Sequence, residues 1–321
     1  MYRKYLYIIV AAGLLLCASC DKEIEFTGED TAPYPVMMGN ATADSNQVTV
    51  WLSWSRFFLD TSETYPTADG AKVTLLCNGT PYTATALNNG FYRFAVAPQP
   101  GDSITVTANI PGYECGMVVA RTRVPQRPSA EILSITDDTT TDKYGYMWRR
   151  FFFRIRIDDP KGENYYRLRI GDRTLYQIRH DIDSFSQYSY PLSCDDPVIM
   201  GANNNLEENG IDIDMTRPTY DEITFSDENF DGRSYTITIQ MKQNNNLTSD
   251  TYGISTPGEF QLTITSISPE LYRYEKSRDK AIDNASNYFS EPVQVICNVE
   301  NGIGVLGSSC ATTSRKMIAK E

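Results

Sequence analysis

Histidine is nearly missing from this chain: His180 is the single example in 321 residues. A zinc site built from His and Cys is thereby disfavoured. General-base catalysis has one imidazole to draw on, and no G-x-S-x-G stretch supplies a nucleophile for it. Long apolar runs are missing too, since beyond residue 16 none approaches the ~20 residues of a membrane-spanning helix. Basic residues are few, 29 Lys+Arg against 41 Asp+Glu for a net charge of −12, and an acidic chain repels nucleic acid and anionic surfaces. A glycosidase needs two carboxylates at a set separation, and 41 acids single out no pair. With no catalytic constellation in view, the expectation is a protein that is not an enzyme, has no cofactor and does not bind nucleic acid.

What is present starts at the N-terminus. Arg3 and Lys4 precede an apolar run from Tyr5 to Leu16, and small residues lead up to Cys20. That is the pattern of a signal peptide over residues 1–19, and the run is short for a bilayer span. Leu14 to Cys20 resembles a bacterial lipobox, with Cys17 standing where a leucine is usual three positions before the acceptor. Cys20 is the expected lipid attachment rather than Cys17, because bulky Leu16 precedes Cys17 and signal peptidases cut beside small residues. Asp21-Lys22-Glu23 resembles the acidic, lysine-containing tag that follows the lipid cysteine in Bacteroidota lipoproteins facing outward from the outer membrane. Residues 20–33 then read as a lipidated tether, with five acids between 21 and 33 and no apolar run.

Cys77, Cys115, Cys194, Cys297 and Cys310 remain beyond the leader. Five is odd, so at least one thiol lacks a partner within the chain, and no C-x-x-C spacing occurs among them. An exported destination permits disulfides, with the pairing left open. Cys77 and Cys115 fall on the inner phase of their strands, as a bridge or as two buried thiols.

The remainder reads as all-β: 12% aromatic, 21 Tyr, and many short alternating segments. Val48, Val50, Leu52 and Trp54 alternate with Thr49, Trp51, Ser53 and Ser55, the period of a strand with one buried face. Similar runs follow at Val73–Cys77, Phe91–Ala97, Ile104–Ile110 and Cys115–Val119, separated by turn formers such as Asn78-Gly79 and Pro100-Gly101-Asp102. About seven such strands argue for an immunoglobulin- or transthyretin-like sandwich over residues 34–124. Residues 125–131, with Pro125 and Pro128, read as a linker. A second, larger antiparallel β domain is expected over 132–321, with one helix at about 269–284 opened by Ser268-Pro269-Glu270. Tyr272 and Tyr274, or Leu271 with Ile282, would pack that helix against a sheet edge or face.

Inside the second domain, Phe151–Ile157 and Tyr166–Ile170 flank the turn Asp159-Pro160-Lys161-Gly162 and read as a hairpin. It would carry Arg154, Arg156, Arg167 and Arg169 on one face, which needs anions because like charges across strands repel. Asp212 and Asp214 offer a complementary strand; an acidic ligand is the alternative. Residues 180–210 are a long polar stretch of the kind that is functional or disordered, and Phe185, Tyr188 and Tyr190 there are candidates for stacking on a sugar or meeting a partner. Asp227, Asn229 and Asp231, before Gly232, match the first half of a calcium loop, although the twelfth position is Thr238 instead of a bidentate acid. A tight acidic turn is the simpler reading. Gly302, Gly304 and Gly307 match G-x-G-x-x-G by count but lack a βαβ context, and Asn301-Gly302 reads as a hairpin turn.

The chain resembles a family of Bacteroidota outer-membrane lipoproteins defined as domain of unknown function 4249. The resemblance rests on Ala71–Leu75, Gly90-Phe91-Tyr92, Pro100-Gly101-Asp102, Asn164-Tyr165-Tyr166, Phe225 to Gly232, Glu291-Pro292 and Asn298 to Gly304, in that order. It implies a neighbourhood of TonB-dependent transporters and a role in nutrient capture at the cell surface, and it brings no catalytic residues. The expectation is a surface-exposed lipoprotein, anchored through palmitate-type acyl chains on Cys20, that binds or assists such a transporter and its unidentified nutrient. An adhesin or structural surface module is the alternative.

Overall fold

The computed structural model describes residues 32–57, 60, 62, 64–141, 147–173, 192–202, 222–244, 259–285 and 291–318. In the first third of the chain the strands are β1 (Pro35–Thr42), β2 (Val48–Trp54), β3 (Lys72–Cys77), β4 (Thr80–Thr83), β5 (Thr85–Ala86), β6 (Phe91–Phe94), β7 (Ser103–Asn109) and β8 (Val118–Arg123). Then follow β9 (Ser129–Thr141), β10 (Met147–Asp158), β11 (Tyr165–Arg173), β12 (Leu192–Ser193) and a short helix α1 (Pro197–Ala202). The chain continues through β13 (Ile223–Ser226), β14 (Ser234–Asn244), β15 (Glu259–Ile267), the long helix α2 (Pro269–Ala285), β16 (Val299–Glu300) and β17 (Ile303–Met317).

Three sheets result. An eight-stranded sheet runs β13-β11-β15-β17-β1-β2-β6-β5, a five-stranded sheet β16-β8-β7-β3-β4, and a four-stranded sheet β12-β14-β10-β9. The fold is all-β, as the alternating segments predict. The five-stranded sheet covers one half of the large sheet: Val48, Val50, Leu52 and Phe94 face Val73, Leu75, Ile104 and Val106 in one core. The four-stranded sheet covers the other half: Phe151, Phe153, Ile155, Ile237 and Ile239 face Leu168, Ile170, Phe225 and Leu262 in a second. Phe260 is the keystone of that second core, edge-on to Phe151 at 5.0 Å and to Phe153 at 4.9 Å between ring centroids, an arrangement favoured by the ring quadrupoles.

The expected partition into 34–124 and 132–321 does not contain one feature, the double use of β17. Its first half, Ile303–Ser309, pairs in parallel with Val36–Thr42 of β1, and its second half, Ser309–Met317, pairs antiparallel with Ile267–Glu259 of β15. Val299, Leu306 and Cys310 therefore belong to the first core. The stretch expected as a linker is pinned to the same strand: Arg127 Nη1 donates to the Ala311 carbonyl at 2.7 Å, and Pro128 accepts from Thr312 Oγ1 at 2.8 Å.

Two expected hairpins do not form. β10 has both edges taken, by β9 and β14, while β11 lies in the other sheet between β13 and β15. The turn at Asp159 thus crosses between sheets, and the four arginines divide. Arg156 pairs with Glu131 and Asp158, Arg167 with Glu222 and Glu275, and Arg169 with Glu222. For these three the anions the sequence demands come from Glu131, Asp158, Glu222 and Glu275; Asp212 and Asp214 lie outside the described residues. Asn301-Gly302 does not turn a hairpin either, because β16 pairs with β8 while β17 leaves to pair with β1. The Asn298 side chain replaces the missing ladder, accepting from Leu306 N at 3.0 Å and donating to the Leu306 and Arg121 carbonyls at 2.9 Å each.

The three late glycines are packing positions. A Cβ on Gly304 (φ 113°) would lie 2.2 Å from the Met37 carbonyl oxygen, and one on Gly302 2.9 Å from that of Pro35. One on Gly307 would meet Leu271 Cβ at 2.8 Å, so that glycine lets α2 sit directly on β17. Helix α2 begins where expected, with Leu271 N donating to Ser268 Oγ at 3.4 Å. Leu271, Tyr272 and Tyr274 pack on the sheet with Tyr165 and Val305, whereas Ile282 is exposed.

Replacing Asn298 with Ala removes a side chain that satisfies backbone groups of two strands. Leaving them unpaired is expected to cost about 1–3 kcal/mol, read as a lower urea midpoint with an unchanged m-value.

Candidate functional site

The sequence-predicted site that falls within the described residues is the acidic turn between β13 and β14. Phe230, fully buried, roots the turn: its ring stacks on Tyr235 at 5.0 Å and lies near Tyr166 at 6.4 Å. The backbone closes around it, with Phe230 N donating to Asp227 O at 2.7 Å and Arg233 N to Phe230 O at 3.0 Å. Gly232 takes a left-handed φ of 67°, which lets the chain leave into β14 without a Cβ penalty.

Asp227, Asp231 and Asp159 converge so that one carboxylate oxygen from each lies within 4.8 Å of the others. Asp159 was not among the expected ligands. It arrives from the crossing turn between β10 and β11, so its approach depends on tertiary structure. Asn229, by contrast, is exposed and uses its backbone oxygen to accept from Arg233 at 2.7 Å. Thr238 sits in β14 opposite Arg154.

Most of these oxygens already have donors. Asp227 Oδ2 accepts from Asn164 N at 3.0 Å and Asn164 Nδ2 at 3.1 Å. Asp231 Oδ1 accepts from Gly162 N at 2.7 Å, Asp159 Oδ2 from Gly232 N at 2.7 Å, and Asp159 Oδ1 from the Tyr166 hydroxyl at 2.5 Å. Asp227 Oδ1 and Asp231 Oδ2 are the two without a hydrogen bond among the described residues. Calcium asks for six to eight oxygens, so this set suits it poorly; it fits a knot that ties the crossing turn onto the β13–β14 turn. Burial holds the Asp227 carboxyl above the usual range, helped by the Asp159 and Asp231 charges and opposed by the Asn164 hydrogen bonds. Burial and the bond to Asp159 likewise push the Tyr166 hydroxyl up.

Cys20, Asp21, Lys22, Glu23, His180, Phe185, Tyr188 and Tyr190 lie outside the described residues. A cavity of about 340 Å³ lined by Phe152, Cys194, Asp196, Thr238 and Gln240 adjoins β12, where the chain resumes after that polar stretch. None of the five described cysteines forms a disulfide among the described residues, and Cys115 and Cys297 are exposed. The expected alternatives for Cys77 and Cys115 both fail, since Cys77 alone is buried. Its thiol points at Asp102 at 3.5 Å, and burial together with that carboxylate pushes it up to about 11.

Residues 21–315 match the family model described as "Domain of unknown function (DUF4249)". This all-β chain belongs to that family. A comparison with the curated proteins finds no match. Among solved structures, the FN1–FN3 domains of chicken CNTN1 align at 10% identity with a TM-score of 0.24, over 74% of this chain and 63% of that one. A Salmonella alpha-2-macroglobulin mutant aligns at 13% identity with a TM-score of 0.22, over 80% of this chain and 15% of that one. The chain thus spans less than two thirds of either.

Two outcomes follow from the knot. A carboxyl raised in the folded state stabilises most at low pH and loses that contribution as pH climbs through its folded value. Asp227→Asn should therefore gain on the native chain between about pH 4 and pH 7, measured as the difference in urea midpoints. Calcium or a chelator should leave the melting temperature unchanged; a calcium-dependent rise lost in Asp227→Asn would show a metal site instead.

Proposed function

We propose that the chain is a lipoprotein held on the outer face of the outer membrane through Cys20, acting without catalysis as a binding or accessory partner of a TonB-dependent nutrient transporter. The observation that carries this reading is the run of small residues into Cys20 behind an apolar leader, together with the start of the family match at the very next residue, Asp21. Asp21-Lys22-Glu23 supports an outward-facing destination. Two acyl chains suffice for stable anchoring where one is marginal, at about 0.8 kcal/mol per buried CH₂.

The side chains in the described residues that looked equipped for chemistry are engaged in structural contacts. Arg156, Arg167 and Arg169 are paired with acids, and Asp159, Asp227 and Asp231 fasten two turns. What such a scaffold offers is surface and position, which favours a partner role. The family neighbourhood implied by the sequence resemblance points to the transporter as that partner.

Cys20→Ala should lose radiolabelled palmitate and partition into the soluble fraction; retained label and membrane association would sink the anchor. Protease added to intact cells should remove the native protein, and a mild-detergent pull-down should recover a β-barrel transporter. Recovery of only further copies of the chain would favour the adhesin alternative.

A further inference from the structure

Large apolar side chains gather at one end of the first sandwich. Tyr34, Tyr65, Met117 and Ile303 are 56, 58, 55 and 39% exposed, and a chain of contacts places them around the start of β1. Tyr34 exchanges hydrogen bonds with Ser55, its N–H donating to Oγ at 2.8 Å and its carbonyl accepting from Ser55 N at 2.7 Å. Pro35 pairs with Trp54, whose ring meets Tyr113 at 5.8 Å. Tyr113 donates to the Asn301 carbonyl at 3.1 Å, Asn301 Nδ2 donates to the Met117 carbonyl at 3.0 Å, and Ile303 pairs with Val36. Tyr65 packs edge-on against Trp51 at 6.0 Å and under Arg56 at 4.9 Å. Beside these lies a groove of about 420 Å³ between Pro33, Trp54, Phe57 and Pro66. Charges here mostly cancel: Arg56 pairs with Asp60 and Arg121 with Glu300.

This is also the end at which the described chain begins. Between Cys20 and Tyr34 lie the residues read from sequence as a tether, and a flexible chain of that length has an end-to-end distance of roughly 20 Å. A lipid on Cys20 would therefore hold this rim close to the bilayer, at an effective concentration in the millimolar range. Weak contacts then suffice. Tyr and Trp, apolar in the ring and polar at the tip, are the side chains that settle at a membrane–water interface.

We propose that this end of the first sandwich rests on the lipid surface, with Tyr34, Tyr65, Met117 and Ile303 seated among the headgroups and upper acyl chains. The proposal rests on the reading of Cys20 as lipidated. It orients the whole molecule, because β17 runs from Ile303 at this rim to Met317 about 45 Å away at ~3.3 Å per residue. The second sandwich then points outward.

The test uses the full acylated chain in neutral phosphatidylcholine vesicles, carrying Trp148→Phe so that Trp51 and Trp54 alone report. Lipids brominated near the top of the acyl chain should quench the emission. Tyr34→Ser combined with Met117→Ser should lose that quenching, while Ile282→Ser combined with Met317→Ser, which alters exposed apolar residues elsewhere, should keep it. Mass spectrometry of Cys20 and vesicle flotation report the anchor separately. An acylated chain that floats but shows no quenching, quenching that survives Tyr34→Ser with Met117→Ser, or quenching that needs a co-reconstituted transporter each overturns the proposal while leaving the lipoprotein reading intact. An unmodified Cys20 overturns both.

Discussion

The backbone ladder of β17 is the interaction on which the rest depends. One strand closes the first sandwich by parallel pairing with β1 and then, without a break, builds the second by antiparallel pairing with β15. The changeover falls at Ser308 and Ser309, both buried. Buried hydroxyls are costly without partners, and these have them. Ser309 Oγ lies 3.1 Å from Asn40 Nδ2, and its carbonyl accepts from Ala43 N at 2.7 Å. Ser308 Oγ donates to the Arg123 carbonyl at 2.7 Å, and its backbone exchanges hydrogen bonds with Ser268, the cap of α2. One dipeptide thereby joins the large sheet, the five-stranded sheet and the helix.

That construction explains how the chain spends its polar groups. Asn298 stands in for a ladder where β16 and β17 part, Arg127 fastens the segment between the two sandwiches, and the acid knot ties the crossing turn of the second core to the β13–β14 turn. Arg167 reaches from β11 to Glu275 on α2. Of these, the Arg127 and Pro128 contacts to Ala311 and Thr312 bear on the junction of the two sandwiches, while the acid knot fastens the second sandwich within itself. Helix α2 adds an apolar contact through Leu271 on Gly307.

The sequence was legible where a signal is local. Strand alternation in β2, β3 and β7 marked the first sandwich because period two follows from the pleat alone, whereas β8 turns Val118, Ala120 and Thr122 inward instead of the expected Cys115, Met117 and Val119. Ser268-Pro269-Glu270 marked the helix start because capping is settled within one turn. Asp227 and Asp231 were visible as an acidic turn for the same reason. Asp159 was not, since nothing in Asp159-Pro160 says which of two sheets the next strand will join. Asn301-Gly302 carried a correct local message, a left-handed residue at Asn301, while misleading about which strands it would connect. G-x-G-x-x-G likewise had the right spacing for close backbone approach, but to Pro35, Met37 and Leu271 instead of a phosphate.

By itself, then, the sequence determined the all-β class, the core faces of β2, β3 and β7 and the helix start, all of which depend on neighbours a few residues away. Only the tertiary structure decided that the last strand serves two sandwiches, which acids meet which arginines, and which apolar side chains share one rim. Those outcomes turn on edge availability: β10 could not pair with β11 once β9 and β14 held its two edges, and β17 could join β1 because that edge was open. Pairing between distant strands is a competition among whole sheets, and no short stretch of residues records its result.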